Sequence, residues 1–299
     1  MNLSLATGSG RSLSAAVNQT AAAINHELIS LADLAQEDTV SAVHLVRKRF
    51  KLYRAFVKLF KNCGPEEKLK SANRALRDLG KSFSELRDAH VRSETLRNLL
   101  SGQVPEQHTR AIMALLQHNQ KTIIELETAL LNEQQLFTRL KNRIQSETAI
   151  DEYLQSLTAS ATCIRAGILC TFSQCHALNG MRENDTDPDR LHEWRKRIKD
   201  LQYQYELTVH CLPPELDPSD EQINALADLL GQDQDLHNLK TWIHGISPVD
   251  TGDTDAEALI SHLNQLRQCL EPEIDRLGNA VFSISPEEFE NQLNSYQTL

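Results

Sequence analysis

Apolar residues recur at helical spacing (i, i+3, i+4, i+7) along almost the whole chain, which predicts amphipathic helices from end to end. No stretch alternates apolar and polar residues long enough to predict a sheet. Glycine and proline are few, 11 and 9 in 299 residues. They gather at 62–65, 101–105, 179–188, 212–218 and 245–252, where they punctuate the periodic runs. The segments between these breaks predict helices over 12–35, 39–62, 65–100, 106–147, 149–178, 188–212, 219–243 and 254–283, with a short tail helix at 286–296. Asp187-Pro188 and Asp217-Pro218 read as helix starts, since proline is tolerated in a first turn. The fold class is therefore all-α. The main helices divide as four and four at a seam near 146–149, which predicts two four-helix bundles related by a pseudo-two-fold axis. The repeats 12–147 and 149–283 would together make one domain over 12–283, followed by a helical tail at 284–299.

One short pattern strengthens that division. His44-Leu45-Val46-Arg47-Lys48-Arg49-Phe50-Lys51 recurs 148 residues later as His192-Glu193-Trp194-Arg195-Lys196-Arg197-Ile198-Lys199. A repeat at this spacing implies two copies of one unit. Its matched positions are charged, whereas a purely structural repeat would mainly keep its apolar positions. A weaker echo, Arg87-Asp88-Ala89-His90 against Gln234-Asp235-Leu236-His237, lies at an offset of 147.

Projected on a helix, Arg47, Lys48, Lys51, Arg54 and Lys58 fall within roughly 80° of His44. Val46, Phe50, Tyr53, Phe56, Val57 and Phe60 take the other side. Like charges at this spacing repel by a few tenths of a kcal/mol per pair, a cost that an external anion offsets. In the second copy His192, Arg195, Lys196 and Lys199 form the same face, Tyr203 continues it, and Trp194, Ile198, Leu201 and Tyr205 form the buried side. This stripe fades, with Gln202 where Arg54 would stand and Glu206 where Lys58 would stand. Arg49 and Arg197 lie roughly 140° off the arc and are expected to pair with acids. Arginine offers a planar fork to phosphate and lysine a point charge. Histidine titrates near neutrality, so His44 and His192 would strengthen anion binding as pH falls.

Charge is distributed unevenly. The net charge is −10, yet 211–299 holds 17 acids against 3 Lys/Arg, which leaves the first 210 residues slightly basic. Between Val40 and Gly64 there are seven Lys/Arg and no acid. An acidic chain with one concentrated basic segment suits a local anion site better than general nucleic-acid binding, which calls for a broad basic face. The ligand should be extended and multivalent. No apolar run is long enough for a membrane span, and Met1 to Ser14 does not read as a signal peptide. The six cysteines form no CxxC pair and are expected as reduced thiols of a cytoplasmic protein.

These residues are where the chain resembles the CHAD family, the conserved-histidine α-helical domain. The resemblance lies in the segment from Val43 to Lys51, in Leu86-Arg87-Asp88-Ala89-His90-Val91, in the segment from Leu191 to Tyr203, and in Leu229-Leu230-Gly231 leading to Asp235-Leu236. It implies two four-helix bundles and a basic groove that binds inorganic polyphosphate, with association with polyphosphate granules. The family's basic and histidine positions carry over to His44, Arg47, Lys48, Lys51, His192, Arg195, Lys196 and Lys199. Arg54 and Lys58 extend the stripe by the helical projection.

The sequence reading is thus a non-catalytic polyphosphate binder, with no cofactor, no metal, no membrane and an open oligomeric state. A polyphosphate-processing phosphohydrolase or phosphotransferase, and a nucleic-acid binder, are the alternatives. No Gly-rich phosphate loop, nucleophile elbow or paired glutamates set for acid–base work is present. Arg87-Asp88 and Asp235 read first as ties between helices; Tyr203, Arg87, His90 and His237 are secondary candidates for the ligand. Arg139 and Arg143 read as a solvated face. Cys170, Cys175 and His176 fall short of the four ligands of structural zinc. Asp185, Asp187 and Asp189 lack the glycine and closing glutamate of a calcium loop.

Overall fold

The computed structural model describes Leu5 and residues 12–102, 104–182, 188–209, 221–246 and 253–295. The expected Asp185 and Asp187, Cys211, and the breaks at 212–218 and 247–252 lie outside the described residues. The fold is all-α, with no strand among the described residues. The helices are α1 (Leu13–Leu34), α2 (Thr39–Leu59), α3 (Glu66–Lys81), α4 (Ser84–Ser101), α5 (Glu106–Glu127), α6 (Leu136–Ser146), α7 (Ala149–Gln155), α8 (Ala161–Met181), α9 (Pro188–Thr208), α10 (Glu221–His244), α11 (Asp253–Val281) and α12 (Pro286–Ser295). A π-helical turn, Thr128–Glu133, follows α5. Among the described residues no helix is long and apolar enough to cross a membrane.

Local chemistry sets several starts. Ser12, Asp38 and Ser160 cap α1, α2 and α8, each side chain accepting from a backbone N–H in the first turn. Three expected single helices are each split in two. The run 65–100 breaks at Ser82-Phe83, where Phe83 is fully buried. The run 106–147 breaks at Gln135, whose φ of 48° lies in the left-handed region. The run 149–178 breaks before the Ser160 cap. None of these breaks carries glycine or proline, so punctuation could not reveal them. Conversely, Pro272 sits inside α11 without ending it.

The helices gather into two compact units. The first comprises 1–82, 137–227 and 277–299; the second comprises 83–136 and 228–276. This division differs from the expected repeats 12–147 and 149–283, because each unit draws helices from both halves of the chain. In the first unit α2 packs on α1, α3, α8 and α9. Val46, Phe50, Tyr53, Phe56, Val57 and Phe60 of α2 and its following turn are at most 2 % exposed. Trp194, Ile198, Leu201 and Tyr205 of α9 are likewise buried. Glycine lets α8 come very close to α2: a Cβ added at Gly167 would stand 1.9 Å from the Leu59 carbonyl oxygen. Phe289 of α12 stacks on Phe172 of α8 at 4.0 Å between ring centroids. The second unit has its own core of Leu96, Leu99, Ala111, Ile112, Leu115, Leu239, Ile243, Leu259 and Leu263 from α4, α5, α10 and α11.

One chemical expectation is corrected. Cys63, in the turn after α2, and Cys163, in the first turn of α8, form a disulfide that closes a separation of 100 residues. Distance along the sequence hid the pair; packing of α8 on the end of α2 brings the two Cα atoms to 5.9 Å. Cys170, Cys175 and Cys269 are not in disulfides.

Candidate functional site

Both copies of the repeated pattern lie in the first unit, on helices that pack against each other. Three contacts give their direction. Arg49 Nη1 lies 3.9 Å from Glu206 Oε1, Gln204 Nε2 donates to the Ala55 carbonyl at 3.4 Å, and Lys58 Nζ donates to Asp200 Oδ2 at 2.5 Å. Residue numbers rise along α2 as they fall along α9, so the helices are antiparallel. Under the 148-residue offset Arg49 corresponds to Arg197 and Glu206 to Lys58. The pair Arg49–Glu206 therefore maps onto the pair Arg197–Lys58, and those two cations share Asp200.

The first stripe is well presented. His44, Lys48 and Lys51 are exposed, while Arg47, Arg54 and Lys58 are half-buried. Arg47 Nη1 donates to the Gly80 carbonyl at 3.0 Å, which fixes the side chain against the end of α3. In the second stripe Lys196 is exposed and His192, Arg195 and Lys199 are half-buried. The Nε atoms of Arg54 and Arg195 are buried and have no hydrogen-bond partner in the structure. Tyr203 is 7 % exposed, and burial, helped by Glu206, pushes its phenol up to about 12. It stays protonated across the physiological range.

Arg49 and Arg197 pair with acids, as their position off the arc predicts. Arg49 Nε meets Glu27 Oε1 at 2.7 Å. Arg197 reaches Glu193 Oε1 at 2.5 Å and Asp200 Oδ2 at 3.6 Å. Glu193 also holds Lys196 at 3.5 Å. Burial alone would raise the Glu193 carboxyl, but Arg197 and Lys196 outweigh it and hold it below the usual range. Lys199 donates to Gln202 at 3.0 Å, and Gln202 in turn donates to Asn224. The second stripe is thus weakened from within by Glu193, which holds Lys196, while Asp200 closes on Lys58 at the end of the first. The first has Leu45 where the second has Glu193, so it keeps more of its charge. The role of Asp200 escaped the sequence projection. Its i+3 spacing from Arg197 was a usable signal, but its contact with Lys58 is tertiary.

Of the secondary candidates Tyr203 lies in the first unit, and Arg87, His90 and His237 belong to the second. Arg87 and His90 are on α4 and His237 is on α10. Arg87 Nη2 lies 3.7 Å from Glu94 Oε2, and its guanidinium is also acted on by Asp235 and Asp88. Glu94 and Asp88 share α4 with Arg87, so the influence on it from another helix is the charge of Asp235 on α10. His90 is 6 % exposed, with neither ring nitrogen hydrogen-bonded. Glu127 Oε1, at 3.7 Å, is too distant for a hydrogen bond. Burial, followed by the Arg87 charge, lowers the His90 pKa and keeps the ring neutral. Asp233 and Arg267 form a bidentate pair at 2.8 and 3.1 Å.

No curated protein matches the chain. Solved structures of low sequence identity share its fold. PptA from Streptomyces chartreusis matches with a TM-score of 0.61 at 14 % identity, over 85 % of this chain and 95 % of that one. The CHAD domain from the plant Ricinus communis matches with a TM-score of 0.56 at 18 % identity, over 94 % of this chain and 90 % of that one. The CHAD domain family profile matches residues 15–244, most of the chain and both copies of the repeated pattern. On that match the chain belongs to the CHAD domain family.

Proposed function

We propose that this protein binds inorganic polyphosphate, without transforming it, along one cationic track made by α2 and α9. The observation that carries the reading is the antiparallel packing of the two motif helices in one compact unit. The correspondence of Arg49–Glu206 with Arg197–Lys58 supports a two-fold relation between the helices; such an axis stands perpendicular to the plane they define and would leave both stripes on the same side. From the Ala55–Gln204 contact, His44 and His192 lie in opposite directions along the pair. With a rise of about 1.5 Å per residue, the track from one histidine to the other runs on the order of 30 Å. The stripes meet end to end rather than side by side, which suits a linear polyanion better than a compact metabolite.

Phosphate oxygens would supply acceptors for the buried Nε–H groups of Arg54 and Arg195, whose lack of partners is otherwise costly. Binding proceeds by electrostatic capture and counterion release, as with nucleic-acid phosphates, so affinity falls steeply with salt. Association with polyphosphate granules follows as part of the same proposal.

The test is a titration with polyphosphates of graded length at several salt concentrations, competed with single-stranded RNA of matched charge. Affinity should rise with chain length until the track is filled, and RNA should compete poorly. Replacing Lys48 and Lys51 with Glu should weaken binding at least tenfold more than replacing Lys121 and Lys240. Equal effects at the two pairs would refute the track. Release of phosphate on incubation with Mg²⁺ or Mn²⁺ would refute the binding-only reading.

A further inference from the structure

At the middle of the paired helices the cations are not evenly available. Lys58 and Arg197 converge on one carboxylate, Asp200, at 2.5 and 3.6 Å. The Asp200 side chain is 13 % exposed and that of Lys58 is 24 % exposed, so this cluster is largely withdrawn from solvent. Arg54 stands close enough for its charge to act on Lys58, and its Nε is buried without a partner. Lys58 and Arg197 therefore share Asp200, Arg197 is also held by Glu193 at 2.5 Å, and Arg54 adds a third cation beside Lys58, so the group keeps an excess of positive charge. A desolvated group of this kind is costly unless another anion joins it.

We infer that Asp200 is an internal competitor for the bound polyanion: it occupies Lys58 in the free protein and so limits affinity at the centre of the track. The inference rests on the polyphosphate reading above and concerns how that site is regulated. Two features set Asp200 apart from the other acids nearby. Glu193 binds Lys196 and Arg197 within one helix, whereas Asp200 links the two helices. Glu206 lies 3.9 Å from an Arg49 that already holds Glu27 at 2.7 Å, so it ties up little of the stripe. A phosphate oxygen entering beside Arg54 would take over the role of the Asp200 carboxylate toward Lys58. The carboxylate then becomes the repelled group. Asp200 thereby favours long chains, whose many other contacts offset that repulsion, over short ones that depend on the central cations.

The experiment compares the wild type with Asp200→Asn, Lys58→Gln and the double variant, by titration with long-chain polyphosphate and with tripolyphosphate. Asp200→Asn should bind long chains at least about threefold more tightly, and tripolyphosphate by a larger factor. Its log–log salt dependence should steepen by about one charge as Lys58 becomes available. Lys58→Gln should weaken wild-type binding less than Lys51→Gln does, and should abolish the gain in the Asp200→Asn background. A folded Asp200→Asn protein that binds no more tightly than wild type overturns the inference. Should Asp200→Asn fail to fold, Lys58→Gln decides alone: a loss as large as that of Lys51→Gln overturns it. Binding by the wild type with no gain in Asp200→Asn sinks only this inference, whereas no binding by the wild type sinks the polyphosphate reading with it.

Discussion

Substituting Gly167 with alanine tests the packing that holds the basic helix in place. The new Cβ would stand 1.9 Å from the Leu59 carbonyl oxygen and 2.8 Å from its carbonyl carbon. Ordinary contact begins near 3.4 Å, so α8 and the end of α2 must separate by more than an ångström. The obstacle is backbone and cannot turn aside as a flexible side chain would. Overpacking of this kind costs about 1–3 kcal/mol, occasionally more, and a backbone clash this deep belongs at the upper end. Gly180 on the same helix has nothing within 4 Å of an added Cβ. There the same substitution gains up to about 1 kcal/mol from helix propensity. The two changes should therefore differ in sign. The assay is urea unfolding followed by the fluorescence of Trp194, 1 % exposed on α9, in a Trp242→Phe background that leaves one reporter. About 3 kcal/mol of destabilisation corresponds to a fall in Tm of roughly 6–12 °C for a unit of this size. Polyphosphate affinity should also fall, because Lys58 lies one residue from the displaced carbonyl. If Gly167→Ala proves as stable as Gly180→Ala, the close approach of α8 to α2 is wrong.

Two further predictions concern titration and crosslinking. His90 has its pKa lowered in the fold, so its neutral form is favoured; stability is full above the unfolded value near 6.5 and falls as pH drops below it, by up to about 1.4 kcal/mol per pH unit. Urea midpoints of the second unit, read by Trp242 between pH 7.5 and 5, should show this fall, and His90→Gln should flatten it; parallel curves would refute the assignment. Reducing the Cys63–Cys163 disulfide, or replacing Cys163 with Ser, opens a loop of about 100 residues and should cost on the order of 4 kcal/mol in the first unit. An unmoved transition in reductant would count against the crosslink.

Much of the candidate site was legible in the sequence because helical spacing fixes which residues share a face. The apolar side of α2, from Val46 to Phe60, is buried where the projection puts it, and Arg49 and Arg197, off the cationic arc, do find acids. Helix boundaries were legible where glycine, proline or a Ser or Asp cap marks them. They were not legible at Ser82-Phe83 or Gln135, where burial of Phe83 and a left-handed backbone end the helix without a marked residue. The grouping of helices was not legible either, because a helix's apolar face states that it must be covered but not by what.

By itself the sequence determined an all-α chain, its duplicated cationic pattern and the family to which it belongs, because periodicity and charge spacing are local properties of a helix. Only the tertiary structure decided that helices from both halves share each compact unit, that α2 and α9 run antiparallel, that Cys63 meets Cys163, and that Asp200 closes on Lys58. Each of those joins residues at least 100 positions apart, and such pairs are chosen by the packing of whole faces, which no local pattern records.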